Sequence, residues 1–192
     1  MLDLRVPTPA GWLDGVFADF SAFLVDHAAC EKKAFSTGMA LVSRYPERQG
    51  LVTALIEFAR EELAHFAAVH RVLAARGLTL ARDEPDRYAK ELRARVRRGG
   101  DEELCDRLLV AGVIEARSCE RLCLLADALP ARDPELADLY FGLARAEARH
   151  HGLFFRLARD SVGEPAVSLR AAEFLDFEAE LVQRLPLRAA VH

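Results

Sequence analysis

Apolar residues recur at alternating spacings of three and four along four long stretches of the chain, as in helices that bury one face. Breaker residues separate these stretches, at Pro46, Gly77, Gly99–Gly100 and Gly163. The pattern predicts long helices over about residues 13–44, 47–75, 101–129 and 133–162, the third ending before Pro130. Asp101 and Asp133 are the predicted N-caps of the last two, with Pro134 at the first helical position of the fourth.

Two further helices are predicted, a basic one at about 86–98 and a last one at about 168–184. Helices of nearly 30 residues are each roughly 40 Å long, the scale of a four-helix bundle. The longest connection, between the second and third long helices, contains the basic helix. We therefore expect an all-α fold, a four-helix bundle with a short crossover helix and an extra C-terminal helix, forming one domain over residues 1–192.

Near its middle, the inward face of each long helix carries one glutamate, and two of the four faces also carry a histidine. In chain order the four faces are Phe17, Ser21, Leu24, Ala28, Glu31, Phe35, Gly38, Val42; Leu51, Leu55, Phe58, Glu62, His65, Val69, Val72; Leu104, Leu108, Ala111, Glu115, Ser118, Leu122, Leu125; and Leu136, Tyr140, Leu143, Glu147, His150, Phe154, Leu157. The first and third helices carry one glutamate each, and the second and fourth carry Glu-x-x-His. The separations also match, because Glu62 follows Glu31 by 31 positions and Glu147 follows Glu115 by 32.

Four buried carboxylates need a counter-charge, since each loses hydration and each raises the pKa of its neighbours. None of the four inward faces contains lysine or arginine. Metal ions would supply the charge, and carboxylates with imidazoles are suitable ligands for iron or manganese. The predicted ligands of a dinuclear site are Glu31, Glu62, His65, Glu115, Glu147 and His150, the constellation of ferritin-like carboxylate proteins.

Other polar residues near these positions have simpler interpretations. A single Glu-x-x-His motif usually lies on a solvated helix surface, so the prediction of a metal site depends on the repetition of the motif. Glu61 falls off the inward face, and His151 has no glutamate three residues before it. His27 is interpreted as an interior histidine or a neighbour of the metal ligands. Ser118 hydrogen-bonds near the site or back to its own helix.

Composition narrows the class of protein further. The apolar share of 52% excludes general disorder, and the net charge of −4 does not indicate a nucleic-acid binder. The four cysteines contain no CxxC pair and are expected to be reduced. No apolar run is long enough to span a membrane, and the N-terminal stretch lacks the pattern of a secretory signal. We therefore expect a cytoplasmic protein.

Four segments around the predicted ligands resemble the tRNA 2-methylthio-isopentenyladenosine hydroxylase family. They are DHAACEKKAFS around Glu31, EFAREELAHF around Glu62, VIEARSCERL around Glu115 and LARAEARHH around Glu147. The resemblance spans about residues 12–159. It implies a non-haem di-iron monooxygenase that hydroxylates the isopentenyl group of the hypermodified adenosine next to the anticodon in tRNA. It also implies two iron ions held by the six ligands above, dioxygen as co-substrate and a separate electron-donor reductase.

The sequence itself gives partial support for an RNA partner. The basic helix contains Lys90, Arg93, Arg95, Arg97 and Arg98, and Lys32 and Lys33 follow Glu31. These residues could contact phosphates of the anticodon loop. A solvated amphipathic helix explains the same pattern equally well.

Two other functions fit the ligand pattern. One is a ferritin-like iron oxidase or storage protein, or another di-iron oxidase, and the other is a metal-free bundle that uses its polar cluster for helix register. The sequence leaves open the electron donor, the hydroxylated carbon and whether the protein is a monomer or a small homo-oligomer.

Overall fold

Seven helices make up the regular structure of the residues that the computed structural model describes, 3–129 and 132–192. In chain order they are α1 (Trp12–Ala18), α2 (Phe20–Arg44), α3 (Gln49–Ala75), α4 (Arg87–Arg93), α5 (Gly100–Ala128), α6 (Pro134–Val162) and α7 (Glu164–Arg184). No strand occurs within these ranges. The predicted all-α class is therefore confirmed, and the four long helices are α2, α3, α5 and α6. Pro130, predicted to follow the third of them, lies outside the described residues.

The first predicted helix is interrupted at Asp19, which separates α1 from α2. The Asp19 carboxylate accepts a hydrogen bond of 2.9 Å from the backbone N–H of Ala22 and so caps α2. The prediction of one continuous helix over 13–44 was wrong here, because the apolar spacing continues across a residue whose side chain competes for backbone N–H groups.

The start of α5 also differs from the prediction. Its N-cap is Gly99, with φ of 86°, and Asp101 lies within the first turn. Glycine adopts this conformation without steric cost. The Glu103 carboxylate reaches back to accept a hydrogen bond from the backbone N–H of Gly99. The N-cap of α6 is Asp133, as predicted, with Pro134 in the first turn.

The last helix begins earlier than predicted, at Glu164. Pro165 lies in its first turn, where the missing N–H costs no helical hydrogen bond. The basic helix is shorter than predicted, since α4 ends at Arg93. The backbone N–H of Arg97 donates to the buried carboxylate of Asp106 instead of continuing the helix.

The described residues group into two compact units. The α2–α3 unit comprises Asp14–Glu84 and Ala189–Val191, and the α5–α6 unit comprises Met1–Leu13, Pro85–Arg188 and His192, so that α1 is divided between them. In the α2–α3 unit, α2 packs against α3, and in the α5–α6 unit, α5 packs against α4, α6 and α7. The single domain expected from the sequence stays a prediction.

A glycine allows close helix packing in each unit. A Cβ on Gly38 of α2 would lie 2.9 Å from the Phe58 ring of α3. A Cβ on Gly112 of α5 would lie 2.7 Å from the Phe155 ring of α6. Since atoms do not approach that closely, both helix pairs depend on the missing side chain.

Two further sequence predictions concern membrane-spanning helices and the state of the cysteines. No described helix is long and apolar enough to cross a membrane. All four cysteines are free thiols.

Candidate metal centre

The α2–α3 unit brings together Glu31 of α2 with Glu62 and His65 of α3. We call these residues the first cluster. The Nδ1 atom of His65 lies 3.5 Å from Oε2 of Glu31 and 3.5 Å from Oε1 of Glu62. Both glutamates are buried, and the His65 side chain is 15% exposed. One imidazole nitrogen therefore faces two carboxylates, as a shared cation would require.

The first cluster has shifted pKa values. Burial alone would lower the pKa of His65, but its contacts with Glu31 and Glu62 raise it to about 10. Burial alone would raise the pKa of Glu31, but His27 and His65 hold it well below its usual range. A proton on His65 thus neutralises part of the carboxylate charge when no metal ion is bound.

His27 is a direct neighbour of the first cluster. Its Nε2 atom lies 2.6 Å from Oε1 of Glu31, one helical turn away. His27 is thus both a buried interior histidine and a neighbour of Glu31, and the i, i+4 spacing on α2 is the sequence signal for this contact. The other oxygen of Glu31, Oε2, is buried and receives no hydrogen bond from the described residues.

The α5–α6 unit brings together Glu115 of α5 with Glu147 and His150 of α6, which we call the second cluster. Nδ1 of His150 lies 3.8 Å from Oε2 of Glu115. One ligand atom from each of the three residues lies within 4.8 Å of the others. The same holds for the three residues of the first cluster. All three residues of the second cluster are buried.

His151 is not part of the second cluster. Its Nδ1 atom lies 2.9 Å from the carbonyl oxygen of Gly112, and its ring packs against Phe155. Of the two adjacent histidines, His150 is therefore the one that lies with Glu115 and Glu147. Ser118 is buried, and its hydroxyl lies 2.8 Å from Nε2 of His192, which neither interpretation from the sequence anticipated.

Two arginines of α5, Arg117 and Arg121, are buried and donate hydrogen bonds to residues outside the second cluster. Arg117 of α5 is fully buried and donates two hydrogen bonds, of 2.8 and 3.0 Å, to the buried carboxylate of Glu178 on α7. Arg117 also donates to the backbone carbonyl of Val6, and Arg121 donates to the Thr8 hydroxyl. The apolar spacing along α5 does not indicate these buried arginines, because they lie off its inward face.

The basic residues predicted to contact tRNA are distributed over both units. In the α2–α3 unit, Lys32 pairs with Asp83 at 2.7 Å, and Lys33 donates to the carbonyl oxygen of Glu84. In the α5–α6 unit, Arg97 donates to Asp106 and Glu102, and Arg95 lies over the Phe177 ring. Lys90, Arg93 and Arg98 are exposed. Arg97 therefore has part of its charge neutralised within the protein.

The donor sets of the two clusters are suited to a transition metal. Each offers two carboxylates and one imidazole, the ligand types that iron and manganese accept. In each cluster the histidine presents Nδ1 to a carboxylate, and the three donor groups lie close to one another. An all-α chain with two such clusters has the residue types of the ferritin-like carboxylate proteins.

Comparison with known proteins defines the family. Residues 2–192 match the model of the tRNA-(MS[2]IO[6]A)-hydroxylase (MiaE) family, and the chain belongs to that family. It is 39% identical over 181 residues to the tRNA 2-(methylsulfanyl)-N(6)-isopentenyladenosine(37) hydroxylase of Pseudomonas putida, covering 94% of this chain and 86% of the relative. It is 29% identical to the enzyme of the same name from Salmonella typhimurium, over 93% of this chain and 83% of that one.

A solved structure confirms the type of fold. Protein 43 with aldehyde deformylating oxygenase activity, from Synechococcus, matches with a TM-score of 0.91 and 35% identity, over 98% of this chain and 94% of that one. The ferritin-like all-α fold predicted from the sequence is thereby confirmed.

Proposed function

We propose that this chain is a non-haem di-iron monooxygenase that hydroxylates the isopentenyl group of the hypermodified adenosine next to the anticodon in tRNA. Membership of the hydroxylase family supports the reaction and the substrate. The proposed chemistry rests mainly on one observation. Both clusters contain two buried carboxylates and one histidine whose Nδ1 atom faces a carboxylate. The protein acts in the cytoplasm, where tRNA is modified.

The metal ligands in this proposal are Glu31, Glu62, His65, Glu115, Glu147 and His150. Their chemistry fits two iron ions, which would supply the two-electron reduction of dioxygen and the transfer of one oxygen atom to substrate. The chain's own contribution is to hold the carboxylates in buried positions and to orient the ligands. His27 fixes one oxygen of Glu31 and leaves the other directed at His65. An external reductase supplies the electrons.

Substrate binding in this proposal uses the basic residues of both units. Lys32, Lys33, Lys90, Arg93, Arg95 and Arg98 contact phosphates of the anticodon loop, a single-stranded region that can present a modified base without melting a duplex. Arg97 contributes less, since its guanidinium donates to Asp106 and Glu102. The protein acts as a monomer or a small homo-oligomer.

The test is anaerobic iron loading followed by a single turnover with tRNA that carries the unhydroxylated nucleoside. We expect two irons per chain and a dioxygen-dependent gain of one oxygen atom on the isopentenyl group, detected by mass spectrometry of the nucleosides. Unchanged hydroxylation of tRNA in a strain lacking this gene would contradict the proposed substrate.

A matched pair of variants tests the ligand assignment. Glu62→Ala should lose iron and activity, whereas Glu61→Ala, one position away and off the inward face, should retain both. Equal iron content in the two variants, measured on folded protein, would remove Glu62 from the ligand set.

A further inference from the structure

The short segment 94–99, between α4 and α5, is held by a buried carboxylate of α5. Asp106 is fully buried and accepts five hydrogen bonds of 2.8–3.0 Å. Three come from Arg97, one of them from its backbone N–H, and two come from the guanidinium of Arg170 on α7. Burial alone would raise the pKa of Asp106, but these hydrogen bonds lower it, so the carboxylate stays ionised. A segment that belongs to no helix is thus fixed by one charged group.

Arg95, within this segment, is held at both its backbone and its side chain. Its carbonyl oxygen accepts a 2.7 Å hydrogen bond from the guanidinium of Arg170. The guanidinium carbon of Arg95 lies 3.6 Å from the centre of the Phe177 ring on α7, and Phe177 is itself buried. The attraction between a cation and an aromatic face holds the guanidinium there and leaves its N–H groups able to donate. A ligand that binds Arg95 therefore has less side-chain motion to restrain.

The charge of Arg95 is available to an anion outside the protein. Arg95 is exposed, and among the described residues none forms an ion pair or a hydrogen bond with its guanidinium. Arg97 differs, because its guanidinium donates to Asp106 and Glu102. A guanidinium can donate two parallel hydrogen bonds to a phosphate, which a lysine ammonium cannot match. Arg95 thus combines a fixed position with a charge that no neighbour neutralises.

We propose that Arg95 is the main phosphate contact of the α5–α6 unit, and that Asp106, Arg170 and Phe177 are positioning residues that hold it for the anticodon loop of tRNA. This inference rests on the proposed function, and it ranks the basic residues named there by how firmly the protein holds each one. Contacts with phosphates fix the orientation of a nucleic acid without reading its bases. Arg95 therefore contributes to the affinity for tRNA and to the placement of the loop.

The first test measures the segment itself and needs no RNA. Arg170→Lys keeps the positive charge but lacks the planar fork that reaches both Asp106 and the carbonyl oxygen of Arg95. In the full-length, iron-loaded protein, hydrogen exchange of residues 94–99 should be about tenfold faster than in wild type, because hydrogen bonds to charged groups are lost. Arg156→Lys, at an exposed position of α6, is the matched control and should exchange like wild type. Unchanged exchange in Arg170→Lys would overturn the positioning role.

The second test separates a direct contact from a positioning role through the salt dependence of tRNA binding. Arg95→Gln removes a phosphate contact, so Kd should rise by about tenfold, and the slope of log Kd against log salt concentration should fall by about 0.7–0.9. Arg170→Lys keeps every positive charge, so the slope should match wild type, while Kd rises by about 2–10-fold because the looser segment must be ordered on binding. In both variants KM for tRNA should rise with Kd, and kcat at saturating tRNA should change little. Arg156→Lys should match wild type on every measure.

Three results would overturn the inference. A wild-type Kd and slope in Arg95→Gln would mean that Arg95 does not contact phosphate. Faster exchange in Arg170→Lys together with a wild-type Kd would mean that the fixed segment does not affect binding. A loss of binding in proportion to lost folded protein would make both residues purely structural. A failure of the proposed function would look different, because wild-type enzyme would bind tRNA with the same dependence on Arg95 and leave its isopentenyl group unhydroxylated.

Discussion

The two clusters contain the same residue types but are set in different surroundings. The inward faces of α5 and α6 are buried throughout, and the His150 side chain is 4% exposed. In the first cluster, His65 is 15% exposed, and Val72 further along α3 is also partly exposed. The second cluster is thus held by a more extensive core, whereas the histidine of the first cluster is within reach of solvent.

The two units also balance buried charge differently. Among the described residues of the α2–α3 unit, the buried ionisable side chains are His27, Glu31 and Glu62, all in or beside the first cluster. The α5–α6 unit additionally buries Arg117 and Arg121, with acidic partners such as Glu178. The α2–α3 unit therefore uses imidazoles to offset its carboxylates, while the α5–α6 unit contains a separate ion-pair network that holds its helices together.

The largest expected effect comes from breaking that network. Arg117→Met should lower the free energy of unfolding by about 3–5 kcal/mol, because it leaves the Glu178 carboxylate buried without its partner. Urea denaturation measures the change. The double variant Arg117→Met/Glu178→Leu should recover much of the loss, and failure to recover it would mean that the arginine matters through packing.

The helix contacts at the two glycines give the next largest effect. Gly112→Ala should destabilise by about 1–3 kcal/mol through overpacking. Its Cβ would meet the Phe155 ring at 2.7 Å and the Cβ of Phe154 at 3.2 Å. Gly38→Ala should cost less, since the atoms it would meet most closely belong to the Phe58 ring alone. Thermal unfolding of both variants provides the ranking, and the reverse order would contradict the tighter packing inferred for α5 and α6.

The proton on His65 should make iron binding at the first cluster depend on pH. The ring must lose that proton to bind iron, so between pH 7 and 9 affinity should rise by about tenfold per pH unit for this site. Titrations with ferrous iron at several pH values measure the slope. His65→Asn should reduce the slope by one proton, whereas the off-face variant Glu61→Gln should leave it unchanged.

The same proton affects the stability of the metal-free protein. Because folding raises the pKa of His65 from its ordinary value of 6.5 to about 10, its stabilisation is complete below pH 6.5 and is lost as pH rises through 10. Metal-free wild-type protein should therefore unfold more easily at pH 10 than at pH 7. A flat profile in this interval would contradict the assigned contacts of His65.

The smallest expected effect concerns the caps of α2 and α6. Asp19→Ala and Asp133→Ala each remove a side chain that accepts a hydrogen bond from a helix N-terminus, at a cost of about 0.5–2 kcal/mol. Asp19→Ala additionally tests whether the break between α1 and α2 depends on the cap. Circular dichroism would show a gain in helix if the chain becomes continuous there.

Periodicity predicted the long helices and the inward position of each cluster residue, because both follow from the spacing of residues along one helix face. Glu62 and His65 are three residues apart, so helical geometry alone brings them together. The same reasoning succeeded for Glu147 and His150. It also predicted which of two adjacent histidines belongs to the cluster, since only His150 follows a glutamate by three residues.

Contacts between distant segments could not be predicted in this way. Ser118 and His192 are separated by 74 residues, and Arg117 and Glu178 by 61. Both pairs depend on how α7 and the residues after it pack on α5, which helical spacing does not specify. The end of α4 could not be predicted for the same reason. The backbone N–H of Arg97 donates to the carboxylate of Asp106, which lies on another helix.

The pairing of Arg117 with Glu178 has a consequence for biosynthesis. During translation α5 leaves the ribosome well before α7, so its arginine has no partner from α7 while the rest of the chain is made. Burying that guanidinium early would be costly, and α5 should stay loosely packed until Glu178 emerges. The second cluster, on α5 and α6, then acquires its final surroundings only after α7 has been made.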